Sequence, residues 1–400
     1  MKKFFSNQIV RFLILTSVLV FGTLSIVAPV SCRLTEEGLE IIPADTTAPS
    51  IETFFVSGEK SILISCSEQI VLDGISVFEI ADETDEIPIE FIDGDSSAAY
   101  AVASSVSYSE DQKSVQIELS EGTKVGKNYV FSGKIYDITG NSLNFCQKFC
   151  GYNENPARLI FNELRTVCNR DSDYTEFIEF YVLKGGNTFG LEIVSGANSE
   201  AKKYVFPSLE VQQGDYIVVH GRTVFAATKT AEEKTVANFA DELDDDLTLS
   251  ATTESCDTAR DLWKTGSDKL VSANDVVVLR DSSTGTLKDA VFLSASGKTA
   301  WSKNLMKEFS EKAFNSGIWI TGSTPECAII TDYATTLYRS VSRQNTLELA
   351  KKYENPNALP DYIQTSAADW ILTEKYKSGK ETISGATPGT ENSINEYVKK

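Results

Sequence analysis

The sequence predicts a mainly β protein of two tandem β-sandwiches, the second with helical loop insertions, preceded by a signal peptide. Short segments in which apolar and polar residues alternate recur along the chain, and turn-rich pieces such as "DGDSS", "SEDQKS" and "SEGTKVGK" separate them. Alternation with a period of two, broken by frequent turns, is typical of antiparallel sandwiches. The length of 400 residues suffices for two or three domains.

The composition indicates folded domains and argues against one class of partner. Hydrophobic residues make up 42% of the chain and aromatic residues 10%, which favours folded domains over disorder. The chain has 37 basic and 57 acidic residues, a net charge of -20. A surface of this sign repels phosphate backbones, and no basic patch offsets it. We therefore expect no binding of nucleic acid.

The N-terminus has the layout of an export signal, in which basic residues precede an apolar run. The basic residues are Lys2, Lys3 and Arg11, and the apolar run extends over residues 12–30. We predict a signal peptide over residues 1–31. The run is also long enough to span a bilayer, since about 20 apolar residues suffice, so a retained anchor is one alternative and plain cleavage is another.

The end of the apolar run resembles the lipobox of bacterial lipoproteins. Ser31 precedes Cys32 and a polar chain follows, although Pro29 and Val30 stand where that family usually has Leu and a small residue. The resemblance implies lipidation of Cys32 and hence a membrane-anchored protein of the cell envelope or surface, with a periplasmic or secreted protein as the alternative. Residues 32–45 would form a polar tether.

Six cysteines remain once Cys32 carries a lipid. An exported chain with an even number of cysteines permits disulfides, and six allow 15 pairings that the sequence does not distinguish. Cys146 and Cys150 have C-x3-C spacing, but no second close pair of cysteines and no neighbouring histidine completes a zinc site. The candidates for disulfides are Cys66, Cys146, Cys150, Cys168, Cys256 and Cys327.

Residues 46–150 contain the first series of alternating segments, from "SIETFFV" to "NYVFSGKIYD". Pro49 before the first strand, Ser67-Glu68, Tyr129 on a late strand and the turn at 137–141 resemble a bacterial immunoglobulin-like domain of surface-layer and adhesin-type proteins. The resemblance implies an immunoglobulin-like sandwich over residues 46–150.

A second series of motifs covers residues 157–393 and is followed by a tail at 394–400. In order, these motifs resemble the lamin-tail domain, which implies a second immunoglobulin-like sandwich. The motifs are Asn162-Glu163, "EFIEFY" around 177–181, Gly-x-Tyr-x-Val-Val at 214–219, Asp289 to Val291, Arg339, Asp369-Trp370 and Thr-Pro-Gly-x-x-Asn at 387–392. Spacers at about 222–270 and 297–332 hold the helix-period stretches "TAEEKTVANFADEL" and "SKNLMKEFSEKAF", which predict helical insertions.

Two glutamates in "DYTEFIEFYV" are the first candidates for chemistry. In a strand, Glu176 and Glu179 point to opposite faces, so they cannot grip one glycosidic bond between them. We expect Glu179 to accept hydrogen bonds from Asn162, Arg339 or backbone amides, because buried polar groups are normally satisfied.

A cation site is the other interpretation of these acids. Oxygen-rich turns suit calcium, and the candidate ligands are Glu163, Asp171, Asp173 and Glu176. Calcium is the one cofactor that the sequence suggests, and the spacing of these acids matches no calcium-loop template.

The only histidine, His220 in "YIVVHGR", is expected at the surface at the end of a strand. One histidine does not build the two- or three-histidine sites of most hydrolytic zinc enzymes. We therefore predict no catalytic residue and a structural, adhesive or ligand-binding role, with another protein or a glycan as partner. The alternative is a hydrolase, or the accessory subunit of one, that uses carboxylates of the lamin-tail-like domain.

Overall fold

A computed structural model describes residues 30–35, 38–43, 45–80, 99–167, 176–221, 258–264, 269–332 and 338–398, with the backbone alone at 30–43 and 263. The protein is mainly β, as predicted. Strands β1 (Val30–Thr35) and β2 (Gly38–Pro43) form an antiparallel hairpin in which Cys32 lies opposite Ile41. The hairpin overlaps the predicted tether. No helix among the described residues combines the length and the apolar character needed to cross a bilayer.

The first module is a seven-stranded antiparallel sheet. Its order is β3-β4-β7-β6-β5-β8-β9. The strands are β3 (Ile51–Gly58), β4 (Ser61–Cys66), β5 (Val71–Ile80), β6 (Ala101–Tyr108), β7 (Ser114–Leu119), β8 (Asn128–Tyr136) and β9 (Ser142–Cys150).

This sheet folds over on itself around one apolar core. Burial alternates along β4 and β7, as the alternating sequence of both strands dictates. Phe54 on the edge strand β3 lies 5.5 Å, centroid to centroid, from both Phe131 on β8 and Phe149 on β9. The two ends of the sheet therefore pack against each other, and the core lies between them.

The second module has two main sheets. The six-stranded sheet has the order β17-β16-β11-β10-β21-β22, and the five-stranded sheet has the order β14-β13-β18-β19-β20. Their strands are β10 (Arg158–Arg165), β11 (Phe177–Lys184), β13 (Leu191–Ser195), β14 (Tyr204–Val205), β16 (Tyr216–His220), β17 (Ala259–Trp263), β18 (Asp275–Asp281), β19 (Leu287–Ser294), β20 (Ile329–Ile330), β21 (Val341–Arg343) and β22 (Trp370–Leu372). Two small pairs join β12 (Gly186–Asn187) to β15 (Glu210–Val211) and β23 (Tyr376–Ser378) to β24 (Glu381–Ile383).

One apolar core joins the two main sheets of the second module. It contains Phe161 and Phe180 from the six-stranded sheet and Val277 and Phe292 from the five-stranded sheet. Strands β10, β11 and β18 are buried along nearly their whole length, because further chain covers the outer face of each sheet as well.

Helices provide part of that cover. Helix α1 (Asn304–Asn315) falls in "SKNLMKEFSEKAF" and confirms the helix predicted there. Its buried Met306, Phe309 and Ala313 recur at helical spacing and join the core. Helix α2 (Thr346–Lys352) was not predicted; its Leu349 and Ala350 pack against the outer face of the six-stranded sheet. The other helical stretch, at 230–243, lies outside the described residues.

Candidate functional site

A β-bulge brings two glutamates together on the six-stranded sheet. The register between β10 and β11 shifts between Phe161 and Glu163, so that Glu163 lies directly opposite Glu179. A bulge places an extra residue, here Asn162, on one strand and re-aims the side chains beside it. Both glutamates are fully buried. The sheet thus carries a pair of buried carboxylates on neighbouring strands.

The C-terminal segment covers this pair. The Glu179 carboxylate accepts hydrogen bonds from Asn162 Nδ2 (2.6 Å) and from the backbone N–H of Gly389. The amide of Thr387 donates to Glu163 Oε2 over 2.9 Å. Asn392 Nδ2 donates to the carbonyl oxygen of Asn162 over 3.1 Å. The turn at 387–392 is therefore fastened to the sheet by the acids beneath it.

Hydroxyl groups complete the surroundings of Glu163. Its Oε1 accepts hydrogen bonds from Ser340 Oγ (2.5 Å) and Ser342 Oγ (2.8 Å), the second of which lies opposite it on β21. Both serines are buried. Each carboxylate thus accepts bonds on both of its oxygens, so the cost of burying the charges is partly offset.

Burial raises the pKa of Glu179 well above its ordinary value, and the neighbouring charge of Glu163 adds to the rise. The hydrogen bonds from Gly389 and Asn162 act in the opposite direction, because they stabilise the ionised form. The sequence correctly predicted Asn162 and a backbone amide as donors to Glu179. Arg339 is not a donor there: it forms an ion pair with Glu374 at 2.8 Å.

Glu176 has different surroundings. Its Oε1 accepts a hydrogen bond from the amide of Leu270 (3.2 Å), a residue of the core between the two sheets. Glu163, by contrast, bonds Ser340, Ser342 and Thr387. Asp171 and Asp173 lie outside the described residues, so the four-residue cation site stays a prediction.

A group of acids that the sequence did not single out as ligands lies in the first module. Oxygen atoms of Asp45, Glu68 and Asp137 lie within 4.8 Å of one another. Both oxygens of Asp137 already accept bonds, one from the amides of Thr139 and Asn141 and the other from their side chains. Calcium takes six to eight oxygen ligands, so three carboxylates do not by themselves form such a site.

His220 is buried, and the expectation of a surface position was wrong. Its Nε2 lies 2.6 Å from Asp261 Oδ1, and both side chains are fully buried. Strand β17, which carries Asp261, adds to β16 in parallel and covers the histidine. The chain between these two strands is a long insertion, so no local sequence pattern marks Asp261 as the partner.

A buried ion pair connects the two sheets. Arg343 Nη2 on β21 lies 3.1 Å from Asp289 Oδ2 on β19, and neither side chain is exposed. The amide of Phe161 donates to the same carboxylate oxygen over 2.8 Å. The Arg343 guanidinium also lies 4.8 Å from the ring centroid of Trp370, a favourable contact between a cation and an aromatic face. Four parts of the second module meet at this pair.

A buried aspartate holds an irregular segment in the same way. Asp275 accepts hydrogen bonds from Ser195 Oγ (2.6 Å) and from the amides of Ala197 (2.8 Å) and Ser272 (3.0 Å). Burial raises the pKa of Asp275 to about 6, and these bonds limit the rise. Buried acids therefore satisfy backbone N–H groups that the sheets leave without a partner.

The described cysteines give the disulfide prediction no support. Cys66 and Cys327 are free thiols. Cys150 Sγ lies 3.1 Å from Ser282 Oγ in the second module. The side chain of Cys32 and residues Cys168 and Cys256 lie outside the described part. Burial, and to a smaller extent Glu52, raise the pKa of the Cys66 thiol to about 11, so this thiol is unreactive as long as its module is folded.

Comparisons with known proteins give one family and distant likenesses. The family model described as "TP_1001_2nd: protein second domain" matches residues 157–372, more than half of the chain. An uncharacterized protein of Treponema pallidum (strain Nichols) is 27% identical over 271 residues, which are 62% of this chain and 63% of that relative. The chain thus matches less than two thirds of the relative's length.

Two solved structures show a distant likeness to the chain. The N-terminal part of the bacterial S-layer protein SbsC is 15% identical, with 62% of this chain and 44% of that chain covered and a TM-score of 0.22. A DUF4876 family protein from Bacteroides thetaiotaomicron VPI-5482 is 12% identical, with 68% and 82% covered and a TM-score of 0.27. Scores this low carry no argument about function.

Proposed function

We propose that this chain, which belongs through residues 157–372 to the family described as "TP_1001_2nd: protein second domain", is an exported, lipid-anchored surface protein without catalytic activity. Its two β modules have a structural, adhesive or ligand-presenting role. The first is an immunoglobulin-like stalk, and the second is a lamin-tail-like domain that meets another protein or a glycan. Cys32 carries the lipid that holds the protein to the membrane.

One observation supports the non-catalytic part of this proposal. The paired acids of the second module, Glu163 and Glu179, are fully buried and bonded to Thr387 and Gly389 of the C-terminal turn. A hydrolytic carboxylate must reach the bond that it cleaves. Here the turn lies where a substrate would have to lie, and the acids act as hydrogen-bond acceptors.

The motifs of the proposed lamin-tail-like domain support its assignment by converging in space. Asn162 contacts Glu179 and Asn392, while Asp289 pairs with Arg343. Residues from the first, second, fourth and last motifs of the predicted order thus meet at or beside the six-stranded sheet. These contacts support a shared structural task for the four motifs.

Carbodiimide labelling tests whether the acids can meet a reagent from solution. The folded full chain is treated with a water-soluble carbodiimide and glycine ethyl ester, and the sites are mapped by peptide mass spectrometry. We expect the exposed Glu391 to be labelled and Glu163 and Glu179 to stay unmodified until the protein is unfolded. Labelling of Glu179 as fast as Glu391 would overturn the non-catalytic proposal.

Fractionation of cells tests the anchor separately. We expect the wild-type chain in the membrane fraction, with a mature N-terminus at Cys32 that carries acyl chains by mass spectrometry. Cys32→Ser should remove the acyl mass. An unmodified N-terminus upstream of Cys32 in the wild type would refute lipidation and favour a retained anchor.

A further inference from the structure

A cavity lies where the two modules meet. Its volume is about 290 Å³, the space of roughly ten water molecules and close to the lower end of small-molecule sites. Strand β3 of the first module forms one side, and the linker at 151–157 forms another. The remaining walls come from the second module, from the starts of β10 and β13 and from the β18–β19 turn.

Specific contacts between the modules fix these walls. The amide of Cys150 donates to Ser283 Oγ over 3.1 Å, and Asn153 Nδ2 donates to the carbonyl oxygen of Phe189 over 3.1 Å. Gly151 packs so closely that an added Cβ would lie 1.9 Å from the carbonyl oxygen of Lys124. The linker is therefore seated between the modules, and a side chain at 151 would push it away.

The lining combines apolar surface with two cations. Apolar side chains on three sides include Phe55, Leu159, Phe189 and Leu279. The charged residues of the lining are Arg158, Lys288 and Asp281. Such a lining, largely apolar with few polar groups, is the common character of small-molecule sites.

The two cations are half-buried and form no ion pair with a described residue, although Asp289 and Asp361 attract Arg158, and Asp281 and Asp361 attract Lys288, from a longer distance. Among the described residues, Lys288 makes no ion pair, and Arg158 donates only to the carbonyl oxygen of Pro360, over 3.3 Å. Burial lowers the pKa of Lys288 and the positive charge of Arg158 lowers it further, while Asp281 and Asp361 oppose the change. Asp281 Oδ1 is committed to its own turn, where it accepts the amide of Thr284 at 2.8 Å.

We propose that this cavity binds a small carboxylate with an apolar body, whose anionic end lies between Arg158 and Lys288. The apolar walls take the body of the ligand, and its charge offsets the cost of holding two like charges in a partly desolvated place. This inference deepens the proposed ligand-presenting role. It does not depend on the anchor or on the absence of catalysis, because its test measures binding alone.

The test is calorimetric titration of the full chain with three matched probes. Hexanoate has the carboxylate and the apolar body, hexan-1-ol has the body alone, and glucuronate has the carboxylate on a polar body. We expect hexanoate to bind at least about tenfold more tightly than either of the others. Hexan-1-ol lacks the hydrogen bonds between a carboxylate and the two cations, and glucuronate lacks the apolar surface that the walls would bury. Equal binding of hexanol would refute the role of charge, and preference for glucuronate would identify an acidic sugar instead.

Variants localise the binding. Lys288→Met should weaken hexanoate at least about tenfold, while Lys288→Arg should retain it. Lys298→Met removes the same charge from an exposed position beyond the other end of β19 and should leave the affinity for hexanoate unchanged. Every variant keeps the N-terminal apolar run, so hexanoate bound to that run contributes equally to all of them. Unchanged affinity in a folded Lys288→Met variant, or no binding by the wild type, would overturn the proposal.

Discussion

The two modules differ in how many carboxylates they bury. In the second module, seven acids are at most 1% exposed: Glu163, Glu176, Glu179, Glu192, Asp261, Asp275 and Asp289. In the described part of the first module, Asp137 is the one buried acid, and it lies in the turn between β8 and β9. The first module is thus held by apolar packing, whereas the second also uses buried acids to fasten loops and the C-terminal turn.

Asp137 and Asp275, one buried acid from each module, respond to pH in opposite directions. In Asp137, hydrogen bonds from Asn141 and Thr139 outweigh the effect of burial and lower the pKa, so its contribution to stability is lost as the pH falls. In Asp275, burial wins and raises the pKa from 3.8 to about 6. Its contribution is complete below the unfolded pKa and is lost as the pH rises through 6.

The largest expected effect comes from breaking the buried ion pair of the second module. Arg343→Met leaves the Asp289 charge without its cation, which typically costs about 3–5 kcal/mol. The free energy of unfolding is measured in urea by tryptophan fluorescence, since all four tryptophans lie after residue 260 and so report on the second module.

A matched exposed pair is the control for this variant. Lys312→Met breaks the ion pair with Glu308, in which both side chains are more than half exposed, and should cost no more than about 0.5 kcal/mol. Similar losses in the two variants would show that the Asp289–Arg343 pair does not hold the sheets together.

A smaller effect is expected from Asp275→Asn. Titration of the wild-type carboxyl should lower the stability of the second module by up to about 3 kcal/mol between pH 4 and pH 7. The variant should lack the part of this loss that Asp275 causes, while the part caused by the raised pKa of Glu179 remains. The variant should also be about 1–3 kcal/mol less stable at pH 4, because its amide nitrogen cannot accept a hydrogen bond as the carboxyl oxygen does. Urea unfolding with tryptophan fluorescence, repeated across this range of pH, checks both. An unchanged slope would assign the pH dependence elsewhere.

The smallest expected effect concerns the rate at which Cys66 of the first module is alkylated. Cys66 is buried there with a pKa of about 11, so iodoacetamide should alkylate it only when that module opens, and more slowly than the half-buried Cys327. Arg343→Met should leave the rate at Cys66 unchanged, because the ion pair belongs to the other module. Peptide mass spectrometry over time gives both rates. Faster labelling of Cys66 in the variant would mean that the modules unfold together.

Much of the fold follows from local patterns. The alternation along β4 and β7 and the turns between strands predict the sheet of the first module, and the helical spacing of apolar residues predicts α1. The donors to Glu179 were also predictable in part, since Asn162 stands in a neighbouring strand and a buried carboxylate needs donors.

What the sequence does not reveal depends on long-range pairing. The bulge at Asn162 sets Glu163 opposite Glu179, and no period-two pattern in one strand shows where its partner inserts or skips a residue. Likewise, the local sequence suggests a surface position for His220 at the end of a strand. Only the pairing of β16 with β17, which follows the insertion, places Asp261 beside it.

The central claim is that the Glu163–Glu179 pair fastens the C-terminal turn. Hydrogen exchange at the backbone amides of Thr387 and Gly389, the donors to these acids, tests it most directly. We predict slow exchange in the wild type and in the exposed control Glu391→Gln. In Glu179→Gln we predict much faster exchange, because the new amide group would face a donor. Fast exchange of both amides in the wild type, or equal protection in Glu179→Gln, would contradict the account.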